Sequence, residues 1–92
     1  MSQNSQLAVV VLGRNDNVAV AARPLPKGFL IEHATLEKPV EVRQVITLGH
    51  KVATRAIAQG EPVLKYGQII GFASKAISPG EWVHVHNISA DA

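Results

Sequence analysis

Hydrophobic residues occur along this chain in short runs that glycine, proline and polar residues interrupt. Runs of this length, rich in Val, Ile, Leu and Ala, are typical of short β-strands. The unbroken run 7–12 predicts a strand buried on both faces. Residues 52–58 fit one helical turn as well as a strand, and we favour a strand at 52–53 followed by a tight turn. The predicted strands are 7–12, 18–22, 29–31, 40–46, 52–53, 63–64, 69–73 and 82–87.

Two segments repeat one pattern, Ala-Ile-x-x-Gly-Glu-x-Val, at 56–63 and 76–83, and Leu-Pro-Lys-Gly at 25–28 is a weaker third copy. In each copy the Ile or Leu is expected to fill the core. The glycine then supplies the positive φ with which a tight turn starts the next strand. Three such corners predict a compact, mainly β fold whose short strands change direction often, and they argue against a helix bundle or a doubly wound sheet.

The last predicted strand carries the clearest candidate chemistry. With a period of two, Val83 and Val85 face the core, while Trp82, His84 and His86 face the other way. The two imidazoles would then lie about 7 Å apart along the strand. Paired histidines on a rigid strand can begin a metal site or a polar reaction site, but zinc or iron needs at least one further protein ligand.

Composition narrows the possible functions. The chain has 92 residues, enough for one domain, and no cysteine, which excludes disulfides and an iron–sulfur cluster held by this chain alone. Its net charge of +2 comes from scattered lysines and arginines, so the sequence predicts no nucleic-acid partner. The run 7–12 is too short for a signal peptide or a membrane span. We therefore expect a cytoplasmic protein without a membrane partner, folded over 7–88, with flexible ends at 1–6 and 89–92.

Five short motifs occur in order at suitable spacings. They are Asp-Asn-Val-Ala-Val-Ala at 16–21, Gly-His-Lys-Val-Ala at 49–53, Lys-Tyr-Gly at 65–67, Ile-Gly-x-Ala at 70–73 and Trp-Val-His-Val-His-Asn at 82–87. Together they resemble the amino-terminal SAF-type domain of the altronate and galactarate dehydratase family. That family includes sulfolactate sulfo-lyase, whose small subunit is this domain made as a separate chain. The resemblance covers 7–88 and implies a β-clip fold.

The resemblance also implies a function. The chain would be the small subunit of a split sugar-acid dehydratase, altronate- or galactarate-like, or of a related 2-hydroxy-acid lyase. It would be inactive alone and would complete the active site of a separate large catalytic subunit, jointly holding a divalent metal, Fe²⁺ or Mn²⁺. The alternative is a non-catalytic SAF-type binding or assembly module, which could form homo-oligomers in isolation. Relatives often have a histidine three residues before the Asp-Asn pair, where this chain has Gly13, so a ligand is lost or a different substrate is served.

The candidate site residues fall into two groups. Catalysis is assigned to His50, His84 and His86, because imidazole can exchange a proton near neutral pH, and His84 and His86 are also the candidate metal ligands. Lysines can hold a substrate carboxylate, although most lysines are solvated surface charges. Asp16 and Asn17 also suit the start of a turn. Tyr66 is expected to bury its ring, and Trp82 to pack under a partner surface. The residues assigned to substrate binding are Asp16, Asn17, Lys51, Lys65 and Asn87.

Overall fold

The computed structural model describes residues 8–11, 13 and 15–90, which form nine short strands and no helix. None of this part of the chain forms a helix long and apolar enough to cross a membrane. The mainly β fold predicted from the sequence is confirmed. The strands are β1 (Val9–Val10), β2 (Val18–Ala21), β3 (Leu30–Ile31), β4 (Val40–Glu41), β5 (Lys51–Ala53), β6 (Pro62–Lys65), β7 (Gln68–Ala73), β8 (Trp82–Val83) and β9 (Ile88–Ser89).

The strands form three antiparallel sheets. The largest has the order β1-β2-β5-β8, a second pairs β3 with β4, and a third has the order β6-β7-β9. β6 and β7 make a hairpin in which Lys65 lies opposite Gln68, so Tyr66 and Gly67 are its two-residue loop. The four-stranded sheet is central because β5, in its middle, supports the strand that carries the candidate histidines.

Both faces of the four-stranded sheet are covered by hydrophobic side chains. Residues directly opposite one another on antiparallel strands share a face, so Ala19, Val52 and Trp82 lie together on one side. On the other side Val83 lies opposite Lys51. The first face belongs to a hydrophobic cluster that also holds Leu25, Ile31, Val42 and Ile46, and the second to a cluster of Val18, Ala53, Ile57, Val63, Ala73, Ile77 and Val83.

Four tight corners connect the sheets, arranged as two reciprocal pairs. Leu25 and Ile46 exchange two backbone hydrogen bonds, and Ile57 and Ile77 do the same, all at 2.8–2.9 Å. All four side chains are buried. The third residue after each is a glycine with φ between 84° and 90°, a conformation that other residues adopt only with strain. The glycines are Gly28, Gly49, Gly60 and Gly80.

Each corner glycine also ties its corner to the partner corner. The Gly60 N–H, in the corner of Ile57, donates to the Ala73 carbonyl, four residues before the paired Ile77. The Gly80 N–H donates in the same way to the Ala53 carbonyl, four residues before Ile57, and both bonds are 2.8 Å long. The glutamates of the repeated pattern complete the turns, because Glu61 accepts from the Ala58 N–H and Glu81 from the Ser78 N–H. The corner at 46–49 was not predicted, since His50 replaces the glutamate there.

Three of the predicted strands differ from the structure. The strand at 40–46 ends at Glu41, because the chain then turns into the corner at Ile46, and Val45 is exposed. The strand at 7–12 is reduced to β1 among the described residues, and Val10 is exposed on one face rather than buried. The strand choice at 52–53 is confirmed by β5. Of the predicted flexible ends, 1–6 and 91–92 lie outside the described residues, and Ser89 belongs to β9.

The expectation that Val85 faces the core is wrong, because β8 ends at Val83. The side chain of the buried Asn87 turns the chain there: its Oδ1 accepts from the His84 N–H, and its Nδ2 donates to the Trp82 carbonyl, each at 2.9 Å. The period-two pattern therefore stops after His84, and Val85 is 78% exposed on the outside of the turn.

Gly80 and Gly60 provide a matched test of the corners. Both have φ near 88°, but a Cβ at Gly60 would meet open space, whereas one at Gly80 would overlap the Glu41 carbonyl oxygen. We expect Gly60→Ala to destabilise the protein by about 1 kcal/mol, the cost of a left-handed alanine, and Gly80→Ala by about 3 kcal/mol. Urea unfolding measures both free energies. Equal losses would show that the close approach at Gly80 does not constrain the fold.

Candidate composite active site

Three histidines and one tryptophan gather at the edge of the four-stranded sheet, and we call them the histidine–tryptophan cluster: His50, Trp82, His84 and His86. His50 precedes β5, Trp82 lies on β8, and the other two follow β8 in the turn. The Trp82 ring centroid is 4.9 Å from that of His84, 5.0 Å from that of His86 and 5.7 Å from that of His50. The structure thus brings together all three histidines predicted to be catalytic, around a side chain expected only to pack.

A hydrogen bond sets the tautomer of His50. The Trp82 Nε1–H donates to His50 Nδ1 at 3.0 Å. An indole N–H is only a donor, so Nδ1 must accept and the ring proton lies on Nε2. His50 also stacks on His84, with ring centroids 5.2 Å apart. His50 therefore has one nitrogen held by the fold and one left to donate to a bound molecule.

Trp82 is itself held in place from two sides. Its backbone N–H donates to Gln44 Oε1 at 3.1 Å, and its half-buried ring packs on the first hydrophobic cluster. His84 is half-buried and His86 is exposed. Among the hydrogen bonds of the described residues, none engages a ring nitrogen of His84 or His86. These two imidazoles are consequently available for a proton or a metal.

A complete metal site is not found in this part of the chain. Residues 8–11, 13 and 15–90 contain no group of three or more His, Cys, Asp or Glu side chains arranged to hold a metal ion. His50 Nδ1 is already occupied by Trp82. Any metal bound by His84 and His86 would therefore need ligands from another molecule or chain segment.

Lys51 and Lys65 form a second, separate group, the lysine pair. Burial lowers the pKa of Lys51 from its usual value of 10.5, and the neighbouring charge of Lys65 lowers it further. Lys51 lies opposite Val83 in the sheet, so its side chain projects from the face of the sheet that does not carry Trp82. Both lysines are half-buried and the charge of one acts on the other, so together they attract an anion.

Asp16 and Asn17 hold the β6–β7 hairpin. The buried Asp16 carboxylate accepts three backbone N–H groups, from Tyr66 and Gly67 at 2.8 Å and from Gly13 at 3.1 Å. Asn17 accepts from the Leu64 N–H and donates to the Pro62 carbonyl. Asn87 was described above. Asp16, Asn17 and Asn87, three of the predicted substrate-binding residues, therefore use their polar side-chain atoms in hydrogen bonds to backbone groups.

Gly13 is required by this arrangement. A Cβ there would overlap Asp16 Oδ1 and the Gly67 nitrogen, so a histidine at this position would displace the Asp16 carboxylate or the hairpin loop. In this chain the glycine therefore belongs with the Asp16 bridge.

One residue was misjudged from the sequence. Tyr66 does not bury its ring: the residue is 49% exposed at the hairpin tip, and its ring centroid lies 5.0 Å from the Lys65 Nζ. The available signal was the Lys-Tyr-Gly motif, which places the tyrosine in a two-residue loop. The packing of Trp82 under a partner surface stays a prediction; within the chain its ring joins the histidines and packs on the core.

Two surface clefts lie away from these groups. Their volumes are about 510 and 490 Å³, and both are lined by Pro39, Val40 and Pro79. Of the predicted site residues, only Asp16 lines either cleft, and its carboxylate is taken up by backbone N–H groups. The histidine–tryptophan cluster and the lysine pair therefore lie outside these two clefts.

Comparisons with known proteins match this chain to a dehydratase domain family, to altronate dehydratases and to a subunit of a sulfo-lyase. The family described as the altronate/galactarate dehydratase SAF domain matches residues 7–91. The chain is 38% identical over 78 residues to altronate dehydratase of Bacillus subtilis and 44% identical over 72 residues to that of Escherichia coli. These matches span 85% and 78% of this chain but only 15% and 14% of the relatives. A 48-residue match, 48% identical, covers 52% of this chain and 51% of the (2R)-sulfolactate sulfo-lyase subunit alpha of Chromohalobacter salexigens.

Replacing the Asp16 carboxylate by an amide tests its role in the hairpin. We expect Asp16→Asn to lower the free energy of unfolding by about 2 kcal/mol, because an amide has one acceptor oxygen for three N–H groups and leaves buried donors unsatisfied. Glu37→Gln, the same change at an exposed position, should cost less than about 0.5 kcal/mol. Chemical denaturation compares the two, and equal effects would contradict the bridging role.

Removing the charge of Lys65 tests the lysine pair. In Lys65→Met the pKa of Lys51 should rise towards 10.5 while staying below it, because burial remains. In the wild type the lowered pKa makes the half-buried charge destabilising at neutral pH, and this cost disappears as the pH rises from the folded-state pKa past 10.5. Carbon-13 NMR titration of the Lys51 side chain measures the shift. Lys75→Met is the control, and an identical response would contradict the pairing.

Proposed function

Because this chain belongs to the altronate/galactarate dehydratase SAF domain family, we propose that it serves an elimination reaction on a sugar acid or a related 2-hydroxy acid. In this proposal it is the small component of a split enzyme and lends one wall of the active site to a larger catalytic partner. The observation that carries the proposal is the collection of His50, His84 and His86 around Trp82 at the edge of the four-stranded sheet.

The chemistry calls for the groups that this cluster offers. Eliminating water from a 2,3-dihydroxy acid removes a proton beside a carboxylate and expels hydroxide from the next carbon. The first step builds negative charge next to an existing one, and the second needs an acid to protonate the leaving group. Imidazoles at a protein surface can supply both the proton transfer and hydrogen bonds to the developing charge.

The proposed roles follow from the geometry. His50 donates from Nε2 to a substrate oxygen, since its Nδ1 is held by Trp82. His84 and His86, whose ring nitrogens make no hydrogen bond among the described residues, exchange the proton or bind a metal. The positive charge of the lysine pair, on the other face of β5, draws the anionic substrate towards this edge of the sheet. Asp16, Asn17 and Asn87 act on the site indirectly, by holding the hairpin and the turn after β8.

We also propose a shared divalent cation, Fe²⁺ or Mn²⁺. His84 and His86 would be its ligands from this chain, and the larger partner would supply the rest, because the described residues hold no complete set. When bound, such a cation offsets charge on the carboxylate and hydroxyl oxygens of the substrate.

The split arrangement draws support from the name of one relative. The sulfo-lyase relative is named subunit alpha, and 48 residues of this chain match it at 48% identity. We infer that this chain likewise acts beside a separate catalytic subunit.

A second candidate is a non-catalytic binding or assembly module. It is favoured by the incomplete ligand set and by the engagement of Asp16, Asn17 and Asn87 with backbone. Metal analysis of protein prepared without a histidine tag separates the two. The catalytic proposal expects Fe²⁺ or Mn²⁺ to be retained when the large partner is present, whereas a module binds its ligand or oligomerises without metal.

The decisive experiment reconstitutes the enzyme from this chain and the large protein that co-purifies with it from native cells. Elimination is assayed on altronate, galactarate and sulfolactate. We expect His84→Ala and His86→Ala each to lower kcat by about 100-fold or more, because acid–base groups contribute on that scale. Assembly, followed by size-exclusion chromatography, should be unchanged.

His33→Ala is the matched control, since His33 lies in a loop and bonds to Thr35. It should leave kcat unaltered. Full activity in both His84→Ala and His86→Ala would mean that the chemistry belongs entirely to the partner.

A further inference from the structure

The hairpin loop between β6 and β7 contains an unusual backbone conformation. Tyr66 has φ of 57°, and it is the one non-glycine residue with positive φ among residues 8–11, 13 and 15–90. Gly67 follows with φ of 73°, so both loop residues are left-handed. Two-residue loops of this kind favour Asn-Gly or Asp-Gly, because asparagine and aspartate tolerate the conformation that a bulky aromatic residue resists.

The surroundings hold Tyr66 in this conformation. The Asp16 carboxylate accepts the N–H groups of both loop residues, and it is fixed in turn by the Gly13 N–H. An asparagine at position 66 would keep these backbone bonds and relieve the strain. The need for a turn therefore does not account for the tyrosine. Strain that its neighbours maintain is typical of functional positions.

What the strained turn achieves is the placement of the Tyr66 ring. The ring stands half-exposed at the tip of the hairpin, with the Lys65 ammonium 5.0 Å from its centroid. Lys65 also acts electrostatically on Lys51, which is half-buried on the adjoining sheet. Two ammonium groups and a phenol are hydrogen-bond donors of the kind that hold a carboxylate.

We propose that Tyr66, Lys65 and Lys51 form a binding site for the carboxylate of a hydroxy acid, and that the strained turn serves to present the Tyr66 hydroxyl to it. The lysines supply the charge and Tyr66 supplies a fixed donor. The identification of the ligand as a hydroxy acid rests on the proposed function, whereas the site itself rests on the turn.

The test titrates the isolated chain with galactarate, followed by the backbone amide NMR signals. At low salt, saturable shifts are expected at Lys51, Tyr66 and Gly67, with a dissociation constant on the order of 1 mM, and they should weaken as salt is added. Galactitol, which keeps the four inner hydroxyls but has a hydroxymethyl group in place of each carboxylate, should cause none. Absence of galactarate shifts at these residues overturns the proposal.

Four substitutions separate the effects of the strained turn, the Tyr66 hydroxyl and the Lys65 charge on galactarate binding. Tyr66→Asn should raise the unfolding temperature by about 4 °C and weaken galactarate binding about tenfold. Tyr66→Phe should weaken binding while leaving the unfolding temperature unchanged. Lys65→Ala should weaken binding, but Lys75→Ala, which removes the same charge elsewhere, should not. Undiminished binding in Tyr66→Asn or Tyr66→Phe, or equal losses in the two lysine variants, overturns the proposal.

The binding test and the test of the proposed function can fail independently of each other. Galactarate binding is measured without a catalytic partner, so its failure leaves the histidine substitutions as an independent test of elimination. Conversely, full activity in His84→Ala and His86→Ala would leave the binding data on Tyr66 intact.

Discussion

The reciprocal pairing of backbone corners is the constraint on which this structure depends. The strands are only two to six residues long, so their ladders alone contribute few hydrogen bonds. Leu25 with Ile46, and Ile57 with Ile77, add bonds at points where the chain reverses, and each pair buries two aliphatic side chains. The corner glycines make this possible because their left-handed φ lets the chain leave in a new direction without strain.

Hydrogen bonds from side chains to the backbone hold the segments that carry the candidate site. Asp16 and Asn17 hold the hairpin that carries Lys65 and Tyr66, and Asn87 turns the chain so that His84 and His86 both reach Trp82. Buried carboxylate and amide groups need partners, and here the partners are N–H and carbonyl groups of irregular loops. The precision of the site thus depends on residues that do not contact a ligand.

The two groups of candidate residues occupy opposite faces of β5. Trp82 shares a face with Val52, whereas Lys51 shares the other with Val83, so the histidine–tryptophan cluster and the lysine pair diverge at the edge of the sheet. His86 is exposed, the other members of both groups are half-buried, and neither group lines the two clefts described above. A composite site therefore suits this geometry, since a partner that covers the edge would exclude water from both groups.

The sequence alone determined the mainly β fold and the corners at 25–28, 56–60 and 76–80, because glycine, proline and aliphatic spacing act locally. It also placed His84 and His86 on one side with Trp82, which the ring contacts confirm. It could not determine where β8 ends, since the Asn87 side chain closes that turn through bonds that a period-two pattern does not encode. The exposure of Tyr66 and the need for Gly13 depend on Asp16, about fifty residues from the hairpin loop along the chain. Such contacts between distant segments, like the separation of Lys51 from Trp82 by the sheet, are decided only by tertiary structure.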